Sequence, residues 1–376
     1  MLDSLAESGN EFSLDPLCTN LTFDIIGAIV TNIDCQAQSP SGGHPIVQHF
    51  RDILATYPDS GRMWMPLGPR TRIKKWISSY KSDKAIKQCI REKFAMIKEA
   101  QSTETKQNKD RSVLALALKD TDVLTADILQ STADQVKSFL FAGHDTTSIL
   151  LQRVIYALSI HPRCLAAIRA EHDAIFGTAD PQDVMRARPD EAMAAMSYTS
   201  ACIKEALRMW PPAASARRAP PGTGFTVRLE DGQDVCLDGA VLYLCHYLIH
   251  RDPRVYGETA DEFIPERWLG NVSTSAATDD DAASHADGGQ VPKSAWRAFE
   301  RGPRNCIGQE LANLEARVIL ACVMRRYDFT KVGAGEVEVD EKGRPVIGEK
   351  GAYKTKSELW NVSIKVLFEH QELTMY

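Results

Sequence analysis

The sequence has no pair of cysteines in C-x-x-C spacing, although it has nine cysteines, at 18, 35, 89, 164, 202, 236, 245, 306 and 322. An odd, unpatterned set suggests reduced thiols in a cytosolic setting rather than a disulfide framework. Basic charge is not in surplus either. The 44 lysines and arginines face 50 acidic residues, a formal net charge of −6, so the footprint of a nucleic-acid-binding protein is lacking. No apolar run is long enough to span a bilayer; the nearest, "LTFDIIGAIV" at 21–30, is short and carries Asp24. The opening "MLDSLAESGN" has no basic segment of the kind that starts a secretory signal. The expectation is a soluble chain without a transmembrane anchor. Its 44% hydrophobic and 25% charged residues are the balance of a globular protein, and 376 residues fit one large enzyme domain.

Helical spacing dominates what is there. Residues 15–31 carry Leu17, Leu21, Ile25 and Ile26 on one side, and the lysine-rich stretch 81–100 repeats the pattern. "STETKQNKDRS" at 102–112 reads as a solvated linker. The longest helix runs from Thr125, its N-cap, to Ser159, closed by His161-Pro162. Another spans Pro162 to Phe176 with Gly177 as its stop, and a further one ends at "RMWPP". "GFTVRLEDGQDVCL" and "DGAVLYLCHYLIH" predict a small sheet with Asp-Gly turns. The acidic, low-complexity stretch 271–290 reads as a flexible surface insert. The fold class expected is mainly α with small β-sheets, as a single domain over 1–376.

Four segments carry chemistry. "FERGPRNCIG" at 299–308 holds Cys306 on a glycine-bounded stretch with Arg301 and Arg304, directly ahead of a helical pattern in which Ile307, Leu311, Leu314, Val318 and Cys322 share a face. A helix N-terminus favours a thiolate there. In "FLFAGHDTTSILL", Gly143, His144, Asp145, Thr146 and Thr147 interrupt an apolar helix. That is either a tolerated kink with solvated side chains or a groove where a ligand meets a hydroxyl and a carboxylate able to relay protons. Glu205 and Arg208 in "EALR" share a helix face, which alone is a surface ion pair of small worth. "PERW" sets Arg267 beside Pro265 and Trp268, a corner in which the aromatic packs inward. His246 and His250 stand four apart in a strand-like run and read as structural histidines rather than metal ligands. Nothing near Cys306 supplies the base of a Cys–His hydrolase.

In this order, these segments resemble the haem-thiolate monooxygenases, the cytochromes P450. The cysteine stretch matches F-x-x-G-x-R-x-C-x-G at Phe299, Gly302, Arg304, Cys306 and Gly308, and "AGHDTT", "EALR", "PERW" and "HRDP" at 250–253 match further family segments. The resemblance implies the cytochrome P450 fold, with haem b (iron protoporphyrin IX) as cofactor and Cys306 as the axial ligand of its iron. It implies that Gly302 permits the turn bearing the ligand and that Gly308 lets the helix start lie close under the porphyrin. Arg304 and Arg218 become partners of the haem propionates, with Arg217 as a rival to Arg218. Thr146 and Asp145 become the proton-delivering pair. Glu205, Arg208 and Arg267 become a buried structural ion network. The activity implied is insertion of one oxygen atom from O2 into a small apolar organic substrate. Electrons would come from NADPH through an NADPH-cytochrome P450 reductase, docking on a basic patch of Arg297, Arg301, Arg317 and Arg325. The endoplasmic reticulum membrane, cytoplasmic face, is the location the family implies, and the fungal look of the motifs suggests secondary-metabolite biosynthesis.

The sequence departs from the family at Glu300, where glycine is common, a change that fungal-type variants tolerate. No tryptophan has arginine four residues on, so the W-x-x-x-R haem contact, most of the larger sheet and the anchor have no counterpart. The expectation is therefore a cytochrome P450 fold lacking its N-terminal portion. Its alternative to an active enzyme is a haem-deficient, non-catalytic remnant or interaction protein.

Overall fold

The computed structural model describes residues 1–40, 42–56, 68–102, 110–229, 231–269, 283–284, 290–357 and 363–368. Among these the chain forms two compact units, Asp15–Ser148 and a second made of Met1–Leu14 with Ile149–Tyr376. A single domain was the sequence expectation. No Pro/Gly-rich linker marks either division, because one falls at the start of a helix and the other inside the longest one.

In the unit Asp15–Ser148, the helix Leu14–Thr31 passes the length and hydropathy test for a membrane span that the run 21–30 did not meet. Its Phe23, Ile26 and Val30 are nevertheless packed inside the unit. Asp24 leaves that apolar face to accept the backbone N–H groups of Ala37 and Gln38 at 2.6 and 3.3 Å. Helix Pro45–Leu54 packs on Pro69–Ser102, which is longer than the 81–100 predicted. The helix Ala126–Ile160 starts where its cap predicts, with Ile128 N donating to Thr125 Oγ1 at 3.3 Å.

In the other unit, helix Pro162–Phe176 stops at Gly177 with φ of 55°, as a glycine C-cap should. Helix Ser197–Met209 receives its cap from outside: Glu171 accepts the N–H groups of Tyr198 and Thr199 and the Ser197 hydroxyl. A three-stranded antiparallel sheet orders Phe12–Ser13, Ser363–Phe368 and Tyr327–Lys331. The predicted small sheet is two separate ladders. Thr226–Arg228 pairs with Asp234–Cys236 around Asp231-Gly232, whereas Val241–Leu244 pairs with Ser215–Arg218. After Leu244 the run turns into the helix His246–Ile249, so His246 and His250 are not strand residues. Residues 271–282 and 285–289 of the predicted acidic insert lie outside the described residues, as do 103–109 of the linker.

Candidate functional site

The stretch 299–308 closes on itself. Cys306 N donates to Phe299 O at 2.8 Å and Asn305 N to Gly302 O at 3.0 Å, with Gly302 at φ 80°. That left-handed angle, rather than crowding, explains Gly302, because a Cβ there would meet nothing within 4 Å. Cys306 is exposed and stands just ahead of the helix Gln309–Val323, whose N-cap is Gly308. The face that this helix buries is not the one the spacing suggested. Ile307 lies outside the helix and is 89% exposed, and Leu314 is exposed, whereas Ala316, Leu320 and Ala321 are buried. The helix packs on Ser197–Met209, and Ala321 sits in a buried cluster with Phe176, Ala192 and Met196.

Glu300, at the position where the family commonly has glycine, has φ of 58°. Its carboxylate is a meeting point. Arg297 Nε donates to Oε1 at 2.9 Å and Arg301 N at 3.2 Å, while Arg217 Nη2 and His246 Nε2 stand 3.8 and 3.5 Å from Oε2. Burial alone would raise its pKa, but hydrogen bonds from Ser215 and Arg297 and the charge of Arg297 hold it down at about 2.

Glu205 and Arg208 are no surface pair. Arg208 donates Nε and Nη2 to the two Glu205 oxygens at 2.9 Å each, and both side chains are fully buried. The remaining Arg208 protons go to the carbonyls of His250, Ala260 and Glu262. Glu205 also accepts Ile264 N at 3.0 Å and Trp268 Nε1 at 2.8 Å. Arg267 Nε stands 3.7 Å from Glu205, and both guanidinium groups lie over the ring of the buried Tyr256 at 5.0 and 5.8 Å. Tyr256 is a member that the sequence reading missed; nothing in its local sequence announces it. His250 carries the network outward, donating Nδ1–H to Arg208 O and accepting Arg297 N at 2.8 Å on Nε2. Burial, foremost, lowers its pKa to about 3, so the ring is neutral.

In the unit Asp15–Ser148 the polar cluster does not break the helix Ala126–Ile160. Gly143 is there for packing, since a Cβ would stand 2.5 Å from Ile26 Cγ1. His144 is buried among Phe23, Phe50 and Phe141, bonded through Nδ1 to Leu140 O, and burial lowers its pKa. Asp145 and Thr146 are exposed, and Thr146 Oγ1 donates to Ala142 O at 2.8 Å, one turn back.

A sequence model of the Cytochrome P450 family matches residues 1–353. The chain belongs to the cytochrome P450 family. Cytochrome P450 monooxygenase acrF of Aspergillus aculeatus is 31% identical over 339 residues, covering 88% of this chain and 66% of that protein. A bifunctional cytochrome P450/NADPH–P450 reductase of Gibberella moniliformis is 31% identical over 208 residues, 54% of this chain and 16% of that one. The chain thus spans less than two thirds of the length of these relatives. The crystal structure of the cytochrome P450DA heme domain shares the fold, with a TM-score of 0.67 at 20% identity, over 98% of this chain and 70% of that one.

A cytochrome P450 chain needs a soft anionic donor for iron and cations for two propionates. Burial pushes Cys18 and Cys35 up to about 12 and Cys89 to about 11, which keeps them thiols. Cys306 and Cys236 are the exposed ones, and Cys306 alone stands in the motif. Arg304 and Arg218 are exposed, and their guanidinium groups form no hydrogen bond or ion pair with another described residue. An open thiol with two uncommitted guanidinium groups is a donor set that fits haem. Of the basic patch expected from Arg297, Arg301, Arg317 and Arg325, three members have partners of their own. Arg297 holds Glu300, Arg317 donates to Met193 O, and Arg325 donates to Asp173 and Gly177 O.

Proposed function

We propose that this chain provides the haem-thiolate centre of a monooxygenase that inserts one oxygen atom of O2 into a small apolar organic substrate. The observation that carries this reading is Cys306, an exposed thiol on a turn closed by its own N–H, in the one stretch matching the family's cysteine pattern. Cys306 would hold the iron of haem b, and Arg304 and Arg218 its propionates. When bound, the cofactor supplies oxygen activation, and an electron-donating thiolate favours O–O cleavage. Thr146 and Asp145 would move protons. To do so at Oγ1, Thr146 gives up its bond to Ala142 O and turns the hydroxyl outward. Glu205, Arg208 and Arg267 hold the surrounding core and touch no substrate.

Electrons would come from NADPH through a separate cytochrome P450 reductase; a relative that carries both activities on one chain supports this pairing. The test is reconstitution of the chain with haem, followed by the carbon monoxide difference spectrum of the reduced protein. A strongly red-shifted Soret band supports the reading. Its absence from a folded, reconstituted chain favours a non-catalytic protein.

A further inference from the structure

We infer that Glu300 is a positioning residue, whose carboxylate pins the cysteine loop to the buried Glu205–Arg208 core and to the strand bearing Arg218. The inference rests on the haem-thiolate reading. Three observations carry it. Glu300 sits at φ 58°, a conformation that a side chain with a Cβ adopts only at a cost, so its surroundings must hold it there. Arg297 and Ser215 hydrogen-bond this nearly buried carboxylate, and Arg217 and His246 stand 3.8 and 3.5 Å from Oε2 without a hydrogen bond. And the bonds run onward without a break, from Glu205 to Arg208, to His250, to the backbone N–H of Arg297, and through its side chain to Glu300.

Glu300 thereby fixes both flanking peptides. Its own N–H is held by Arg297 O, its carboxylate takes Arg301 N, and the carbonyl of the preceding Phe299 receives Cys306 N. On the strand Ser215–Arg218, side chains alternate, so Ser215 and Arg217 reach Glu300 while Arg218 projects from the other face. This division of labour assigns Arg217 to the loop and leaves Arg218 uncommitted.

The test compares Glu300→Gly and Glu300→Gln with the unaltered chain. Glycine relieves the backbone strain, and glutamine keeps the shape but not the charge. In the haem-free full chain, amide hydrogen exchange at Cys306 is expected to speed up about tenfold in both variants, the loss of a charge-assisted anchor. After haem reconstitution, both variants are expected to show part of their bound haem without the thiolate Soret band at unchanged haem load. A residue that merely adds stability would lower the melting temperature and leave the band per bound haem intact. Unchanged exchange and an unchanged band in Glu300→Gly would overturn the proposal. If the unaltered chain gives no thiolate band, the haem reading fails, and the exchange rates still decide whether Glu300 anchors the loop.

Discussion

Glu205 and Arg208 hold each other through two hydrogen bonds of 2.9 Å, with neither side chain reaching solvent. Removing one partner leaves a buried charge uncompensated, which costs roughly 3–5 kcal/mol, far more than an exposed pair. Glu205→Ala is expected to lower the melting temperature sharply and to give little soluble protein. Normal stability of this variant by calorimetry would contradict the buried network.

Gly143 stands so close to Ile26 that an added methyl would come 2.5 Å from Cγ1 and 2.7 Å from Cδ1. Overpacking costs about 1–3 kcal/mol, against roughly 1 kcal/mol gained by alanine over glycine in a helix. Gly143→Ala should therefore destabilise, and the penalty should shrink in an Ile26→Ala background, where only the contact with Cβ of residue 26 at 3.1 Å remains. Denaturant midpoints of the four chains in that cycle test the packing explanation. A Gly143→Ala variant as stable as the parent would refute it.

Glu315 is buried, and burial raises its pKa from 4.5 to about 8. The folded chain therefore keeps this proton where the unfolded chain has released it. Its contribution to stability is complete below pH 4.5 and is lost as pH rises towards 8, by at most ~1.4 kcal/mol per unit. Glu315→Gln should match the parent near pH 4.5 and exceed it at pH 8. Parallel melting curves across that range would show that the carboxyl is ionised in the folded chain.

Thr146 spends its hydroxyl proton on Ala142 O at an exposed site. Thr146→Ala should change stability by no more than ~0.5 kcal/mol, keep the haem spectrum, and divert electrons into peroxide. Thr146→Ser should retain coupling. An unchanged ratio of product to NADPH consumed in Thr146→Ala would exclude the proton-delivery role.

What the sequence made legible was set within a few residues. Thr125 caps, Gly177 stops, and the spacing around Cys306 is complete in ten positions. The Glu205–Arg208 pair was visible for the same reason, one turn apart on a helix. Its burial was not, because the groups that bury it come from Ile264 and Trp268, 59 and 63 residues away. Gly143 was ambiguous for want of Ile26, whose contact no local pattern encodes. The helix after Cys306 carries two apolar faces, and only tertiary packing selects the one with Ala316 and Ala321. Glu300 was visible as a departure from the motif, but its partners, Arg217 and His246, come from separate elements. A charged residue in a slot usually held by glycine was the signal that could have led to them.

Whether Cys306 ligates haem iron is decided by the carbon monoxide difference spectrum of the reduced, haem-reconstituted chain beside its Cys306→Ser variant. The strongly red-shifted Soret band is expected in the unaltered chain and its loss in the variant. The same band in both, or in neither when haem is bound, would rule out Cys306 as the ligand.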